Sequence, residues 1–455
     1  MRHSLARLRR LGSSANYRRF LHSRSSTRSG SIRLSLLQAS ASRSRCRQLM
    51  WEGTRFSSRM SEAAPTRDEP CKRVPFVSPK MSSNSRQHNI AVIPGDGIGI
   101  EVTASTLKVL RAVQKKVGGF ELSFDELDYG SGYNSCFKIV IAYSLSGARY
   151  KAQGSYTPKG WLDHLRKSDA IFFGAVGDPD VPDHISLWEL ILPMRQTFQQ
   201  YVNIRPSSIL PGIPSRIVGT KPGDLDWIIV RENTEGEYAG QGGRTHVGTE
   251  WEVATELAVF TRKGVERVMR FAFETAQSRP KKLLTVVSKS NAQRYGLLLW
   301  DEVAEIVSKD FPDVKWDKML VDAMTVRMVA KPTSLDTIVT TNLHGDILSD
   351  LAAGLSGSIG IAHSASLDPT RTSPSLFEPV HGAAFDIMGK DLANPIAAIM
   401  SAAEMLRWLR ENEAADLVEK ACKQSIADGQ TTGDLGGKLK TSQVTEAVCK
   451  ILATL

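Results

Sequence analysis

Asp336-Thr337-Ile338-Val339-Thr340-Thr341-Asn342-Leu343-His344-Gly345-Asp346-Ile347-Leu348-Ser349-Asp350 (residues 336–350) changes its hydrophobic period midway. DTIVTT (336–341) is a short β-branched run of the kind that fills a buried strand, and from about Gly345 the spacing is helical. On a helix, Asp346 and Asp350 fall one above the other on the same face, with Cβ atoms about 5–6 Å apart. Two like charges so placed repel. A divalent cation between them would turn the repulsion into a site, and oxygen ligands of this kind suit Mg2+ or Mn2+. Taken alone, the pair reads first as a solvated helix face, with Asp346 favoured in the first turn by the helix dipole.

The same strand-then-helix unit recurs on both sides of this stretch. IAVIP (90–94), ELSFDELD (121–128), AIFFGAV (170–176), DWIIV (226–230), KLLTVVS (282–288) and KMLVDAM (318–324) read as strands. Helical spacing runs to about Val117, near 158–168, over 187–200 and through most of the tail from 394. Such alternation implies an α/β architecture with a largely parallel sheet. Residues 135–154, SCFKIVIAYSLSGARYKAQG, form an atypical insertion where a short connection would serve. Within it, KIVIAYSL reads either as an edge strand or as translated intron sequence.

The chain has 455 residues, 41% of them hydrophobic, enough material for two domains. A net charge of +10 suggests an anionic partner, yet residues 1–50 hold twelve Arg and no Lys, Asp or Glu. Residues 51–88 add seven basic and four acidic groups, which leaves about −5 for residues 89–455. The basicity belongs to the leader, and no nucleic-acid partner is expected for the body. Residues 1–88, Arg- and Ser-rich, read as a disordered leader with the composition of a mitochondrial transit peptide. A nucleic-acid-binding arm is the other reading of that leader, and translation from Met81 would leave the protein cytoplasmic. The five cysteines show no CxxC pair and no His at zinc spacing, which points to a reducing compartment. No apolar run reaches the ~18 residues of a membrane span, so no membrane partner is expected.

Several motifs carry chemistry. Gly95-Asp96-Gly97-Ile98-Gly99 follows a strand and precedes a helix, where glycines let a ligand approach backbone N–H groups; it reads equally as a tight turn. It is not the G-x-G-x-x-G fingerprint. Arg195, Arg205 and Arg231 form a candidate carboxylate clamp, since guanidinium groups hold carboxylates by paired hydrogen bonds. Tyr238 lies close by in sequence. Lys289 and Asn291 follow a predicted strand, the place where α/β sites are built. Asp322 interrupts an apolar strand, where a carboxylate needs a partner or a metal. EPVHGAAFDIMGKDLANP supplies Glu378, His381, Gly382, Asp386 and Asn394 in a loop leading to a helix.

Read together and in order, IPGDGIG, NIRP, VRENTEGEY, SKSN, VDAM, GDILSD and EPVHGAAFDIMGKDLANP resemble the metal-dependent β-decarboxylating dehydrogenases. That family comprises isocitrate, isopropylmalate and tartrate/D-malate dehydrogenases, and VPDHISLW (181–188) is most similar to the tartrate/D-malate branch. The resemblance spans 89–455 apart from the insertion. It implies the two-domain isopropylmalate-dehydrogenase-like fold, with a mixed central sheet flanked by helices and no conventional Rossmann domain. Residues 89–200 plus 357–455 would form the larger cofactor-binding domain, and 201–356 the smaller substrate and dimerisation domain.

The resemblance also implies roles. Asp322, Asp346 and Asp350 would hold Mg2+ or Mn2+, Lys289 would act as base on the hydroxyl, and Tyr238 would protonate the enolate carbon. Arg195, Arg205 and Arg231, with Asn291, would bind a 2-hydroxy dicarboxylate such as D-malate or tartrate. Glu378, His381, Gly382, Asp386 and Asn394 would bind NAD, with Asp386 disfavouring a 2′-phosphate. Lys289 and Asp322 would come from the neighbouring subunit of a homodimer with composite sites. Ile100, Phe385 and His363 depart from the family's usual Pro, the last two near the expected adenosine end of the cofactor. The nearest rival is 3-isopropylmalate dehydrogenase, for which Leu190, Ile191 and Leu192 offer an apolar patch. A non-catalytic regulatory subunit of an NAD-isocitrate dehydrogenase is disfavoured because Lys289, Tyr238 and all three aspartates are present.

Overall fold

The computed structural model describes residues 85–126, 145–213 and 216–455. The leader through residue 84 and residues 135–144 of the insertion, with most of KIVIAYSL, lie outside them. The strands are β1 Arg86–Gly95, β2 Phe120–Glu126, β3 Ala170–Ala175, β4 Val202–Ser208, β5 Asp226–Glu232 and β6 Gly236–Thr245. They continue as β7 Val253–Val259, β8 Leu283–Ser288, β9 Lys315–Leu320, β10 Thr337–Thr340, β11 His363–Leu367 and β12 Ser375–Pro379. Ten of them make one sheet in the order β2-β1-β3-β12-β11-β4-β5-β10-β8-β9, and β6 pairs with β7 separately.

The sheet is mixed in a particular way. β2-β1-β3-β12 and β5-β10-β8-β9 are each parallel blocks. β11 and β4 join them by antiparallel pairing on every side. Strands from the segments 89–200 and 357–455 thus occupy one end, and strands from 201–356 the other. Both faces are covered, so the strands are apolar on both sides of the pleat. Ile90 and Val92 face one core with the helices Gly99–Val117 and Ile396–Trp408, while Ala91 and Ile93 face another with Leu165 and Phe198. In the second block Val339 joins the shared core, and Ile338 packs with Met324, Met328 and Leu348.

Two readings are corrected here. The run read as the strand 318–324 is a strand only over Lys315–Leu320; Val321–Ala330 is a helix. Asp322 therefore stands in a helix's first turn, where the dipole favours a carboxylate, with its side chain 67% exposed. The desolvation argument for it does not hold within one chain. Glu378 belongs to β12 and not to the loop that follows. Of the insertion, residues 145–154 are described: Leu145 joins the second core, and Gly147–Gln153 is a helix capped by Ser146, whose Oγ accepts from Arg149 N at 3.3 Å.

Candidate active site

The carboxyl ends of β3, β5 and β12 and the helix Asn342–Ser356 after β10 converge on a cleft of about 250 Å3. This is where parallel sheets place ligands, and here the cleft lies against the antiparallel junction of the two blocks. Arg195, Arg205, Arg231, Tyr238, Asp346, Glu378, His381 and Gly382 all line it.

The helix does what its spacing predicts. Asp346 and Asp350 lie on one face, and Arg205 reaches both, Nη2 to Asp346 Oδ1 at 3.3 Å and Nη1 to Asp350 Oδ1 at 3.6 Å. Arg231 Nη1 donates to Asp346 Oδ1 at 2.5 Å. Gly345 makes this approach feasible: a Cβ there would sit 2.6 Å from Arg231 Cγ. Asn342 and Ser349, one helical turn to either side of Asp346, complete the seating. Asn342 Oδ1 accepts from Arg231 Nε and Nη2 at 3.0 and 2.7 Å, and Ser349 Oγ accepts from Arg205 Nη1 at 2.6 Å. Asn203, two residues before Arg205 on the same face of β4, accepts from its Nε at 2.8 Å. Asn342, Ser349 and Asn203 were not predicted, although the periods of 3.6 and 2 place each beside a predicted residue.

Arg195 is buried, gives Nη2 to Glu378 Oε1 at 3.1 Å, and keeps Nε without a hydrogen-bond partner among the described residues. A buried guanidinium N–H with no acceptor in a cleft is a place for a ligand oxygen. Tyr238 OH is 3.5 Å from Asp346 Oδ2, and Arg231 lies over its ring at 5.6 Å.

Burial raises the proton affinity of Asp346, but Arg231, Arg205 and Arg195 together outweigh it and leave its carboxyl below the usual range. Asp350 is shifted upward: burial raises it, Arg205 opposes, and Asp346 adds to the rise. Burial also raises Tyr238, against the pull of Arg231, so the phenol keeps its proton. His381 is lowered by burial and stays neutral.

Asp346 and Asp350 fit as two ligands of a hard divalent cation: both are oxygen donors, both are partly open, and Asp350 is incompletely compensated. Among the described residues no group of three or more His, Cys, Asp or Glu could hold a metal ion. Asp322 does not join the pair within this chain. It accepts from Lys289 Nζ at 2.6 Å, and this holds its carboxyl below the usual range. Asn291, beyond the end of β8, is exposed.

The cofactor-side residues separate. His381 and Gly382 line the cleft, and His381 Nε2 is buried without a partner among the described residues. Asp386 is exposed, its carbonyl accepting from Lys390 Nζ at 2.7 Å. Asn394 is buried; Nδ2 donates to Asp434 Oδ2 at 3.0 Å and Oδ1 accepts from Ile396 N at the start of a helix. Glu378 already holds Arg195.

Two further readings are narrowed, and one departure from the family's pattern is located. The GDGIG loop offers no free cradle, because Asp96 N and Ile98 N donate to Ala175 O and Ala383 O, both at 2.8 Å. Gly95 and Gly97, at φ +74° and +56°, serve these close approaches to protein carbonyls. His363 lines a separate cavity of about 150 Å3 with Glu404, Glu419 and Lys423, and not the cleft. Of the apolar patch, Leu190 and Leu192 are buried, and Ile191 with Leu187 faces the cleft. No helix among the described residues is long and apolar enough to cross a membrane.

Residues 89–448 match the family described as isocitrate/isopropylmalate dehydrogenase. The chain is 56% identical over 368 residues to a probable tartrate dehydrogenase/decarboxylase of Agrobacterium vitis, covering 81% of this chain and 98% of that one. It is 47% identical over 369 residues to D-malate dehydrogenase (decarboxylating) of Escherichia coli (strain K12), covering 80% and 98%. The solved isocitrate dehydrogenase from Methylococcus capsulatus matches with a TM-score of 0.69 at 34% identity, over 80% of this chain and 99% of that one.

Proposed function

We propose, for a chain that belongs to the isocitrate/isopropylmalate dehydrogenase family, that it oxidises a small 2-hydroxy dicarboxylate and releases its β-carboxylate as CO2, with D-malate or tartrate as substrate and NAD as acceptor. The observation that carries this reading is the convergence of two buried guanidiniums, Arg205 and Arg231, on Asp346, with a third, Arg195, lining the same cleft on Glu378 and keeping an unpartnered N–H among the described residues. Charge matching supports it. Arg195, Arg205 and Arg231 are offset by Glu378, Asp350 and Asp346, and Lys289 is offset by Asp322. A divalent cation would leave the site with the charge that a dicarboxylate neutralises.

Asp346 and Asp350, with Asp322 of a second copy, would hold Mg2+ or Mn2+. Once bound, the cation supplies Lewis-acid polarisation of the substrate hydroxyl and the adjacent carboxylate, and the dinucleotide supplies the hydride acceptor. Lys289 of the second copy, once Asp322 has left it for the cation and its own extra proton has gone to solvent, takes the hydroxyl proton at Nζ. The guanidiniums orient the β-carboxylate, whose C–C bond breaks and leaves its electron pair on carbon. Tyr238, still protonated, gives that carbon its proton. His381, Gly382, Asp386 and Asn394 contact the dinucleotide, and the Asp386 carboxylate favours NAD over NADP by repelling a 2′-phosphate. Glu378 acts there through Arg195. The assembly is a homodimer with two composite sites.

The test is NADH formation by the purified protein with D-malate, tartrate and 3-isopropylmalate, with and without a chelator. Turnover of D-malate or tartrate that the chelator abolishes is expected. Turnover that survives chelation removes the metal from the reading, and a preference for 3-isopropylmalate moves the chain to the rival branch, with Leu187 and Ile191 as its alkyl contacts.

A further inference from the structure

Asp96 is the one charged residue of the glycine loop, and the chemistry above leaves it unused. Its side chain is only 4% exposed. Oδ1 and Oδ2 accept from Gly147 N at 2.9 and 3.1 Å, and Oδ2 also accepts from Gly177 N at 3.2 Å. Its own N–H is bonded to Ala175 O, and two residues later Ile98 N is bonded to Ala383 O. Gly174, Ala175 and Val176 line one wall of the cleft, and His381 and Gly382 line another. One short loop is thus bonded to both walls. We propose that Asp96 is a positioning residue for dinucleotide binding, its ionised carboxylate fixing the Ala175–Gly177 wall and the turn at Gly147 against the loop that also holds Ala383.

This inference rests on reading the cleft as a dinucleotide site. An ionised carboxylate only accepts, so both oxygens face N–H groups with charge-assisted bonds; protonation at Oδ1 costs the 2.9 Å bond from Gly147 N and leaves Oδ2 a weaker, neutral acceptor for both glycines. The groups around Asp96 come from several elements. Asp178 is buried beside it, Lys151 Nζ reaches Asp178 at 2.8 Å and Asp180 at 3.2 Å, and Tyr156 is buried close by with its N–H on Glu189. Burial pushes the Asp96 carboxyl up to about 6; the Gly147 and Gly177 N–H groups oppose it, Asp178 adds to it, and Lys151 opposes it. The carboxylate is therefore lost as pH falls through about 6. Because the folded value is raised, ionisation opposes folding above that pH, and replacing the carboxylate by an amide removes that penalty.

The experiment is calorimetric titration of the purified full chain with NAD alone, from pH 8.0 to 5.0, in wild type and Asp96→Asn. In wild type the Kd should rise about tenfold over this range. In Asp96→Asn it should be weak and flat, equal to wild type at pH 5.0. His381 titration would persist in the variant, so a flat profile is specific to Asp96. Parallel profiles in the two proteins overturn the inference alone, and so does a wild-type Kd that does not change, which needs no variant. Wild type that binds no NAD at any pH overturns both this inference and the dinucleotide reading.

Discussion

Arg205, Arg231 and Asp346 direct their side-chain hydrogen bonds into the interior, whereas the Lys289 ammonium and the Asp322 carboxylate pair with each other nearer the surface. The Arg231 side chain is 3% exposed and that of Asp322 is 67% exposed. The first region is pre-assembled: Asn342, Asn203, Ser349 and Asp346 hold the guanidiniums before any substrate arrives, although burial still outweighs them and pushes Arg231 down to about 9 and Arg205 in the same direction. The second region costs the fold little. One chain therefore presents a set of guanidiniums fixed in its interior and, apart from it, a single Lys289–Asp322 pair.

The largest effect expected from this contrast is complementation. Arg231→Ala and Lys289→Met homodimers should each lose about 10²–10⁴-fold in turnover, as loss of a positioned acid–base or orienting group does. A heterodimer of the two variants, purified by two tags, should regain about half of the wild-type rate, because one composite site then holds both native residues. No recovery would mean that Lys289 serves its own chain.

Next comes stability, read by denaturant unfolding. Arg231→Ala leaves Asn342 Oδ1 without its donor and Asp346 with Arg205 as its remaining guanidinium, and should cost about 3 kcal/mol, the low end for a broken buried ion pair because Asp346 is partly open. Lys289→Met should stay within about 0.5 kcal/mol. Equal losses would erase the distinction between the two regions.

The smallest effect is in acid. The folded Asp346 carboxyl lies below its unfolded value, so its stabilising contribution is present above about pH 4 and is lost as pH falls through the folded value. Acid unfolding below pH 4, followed by circular dichroism, should be shallower in Asp346→Asn and less affected in Asp322→Asn, whose carboxyl is also held low by Lys289 but is exposed and screened by solvent. A matching change in both would show that the exposed pair is coupled to the fold.

Much of the site was legible because its local part follows from backbone period. Asp346 and Asp350 share a face for the reason any i, i+4 pair does, and Asn342 and Ser349 could have been found by extending the same count. Asp322 was misplaced because LVDAM is apolar enough for either period, and the helix start within it has no side-chain cap to announce it. GDGIG read equally as a ligand cradle and as a tight turn because a sequence lists N–H groups but not the carbonyls that occupy them. Ala175 and Ala383, which take two of them, lie far along the chain.

The sequence by itself determined the strand-and-helix alternation, the paired carboxylates on one helix face and the family, since these rest on local periodicity and on motif order. Only the tertiary structure decided the partners: Glu378 for Arg195, Asp346 for Arg231, Gly147 and Gly177 for Asp96, and a half-buried lysine for Asp322. Charge pairing and burial depend on which distant segments the two parallel blocks bring to their antiparallel seam, and that is fixed by packing and not by spacing along the chain.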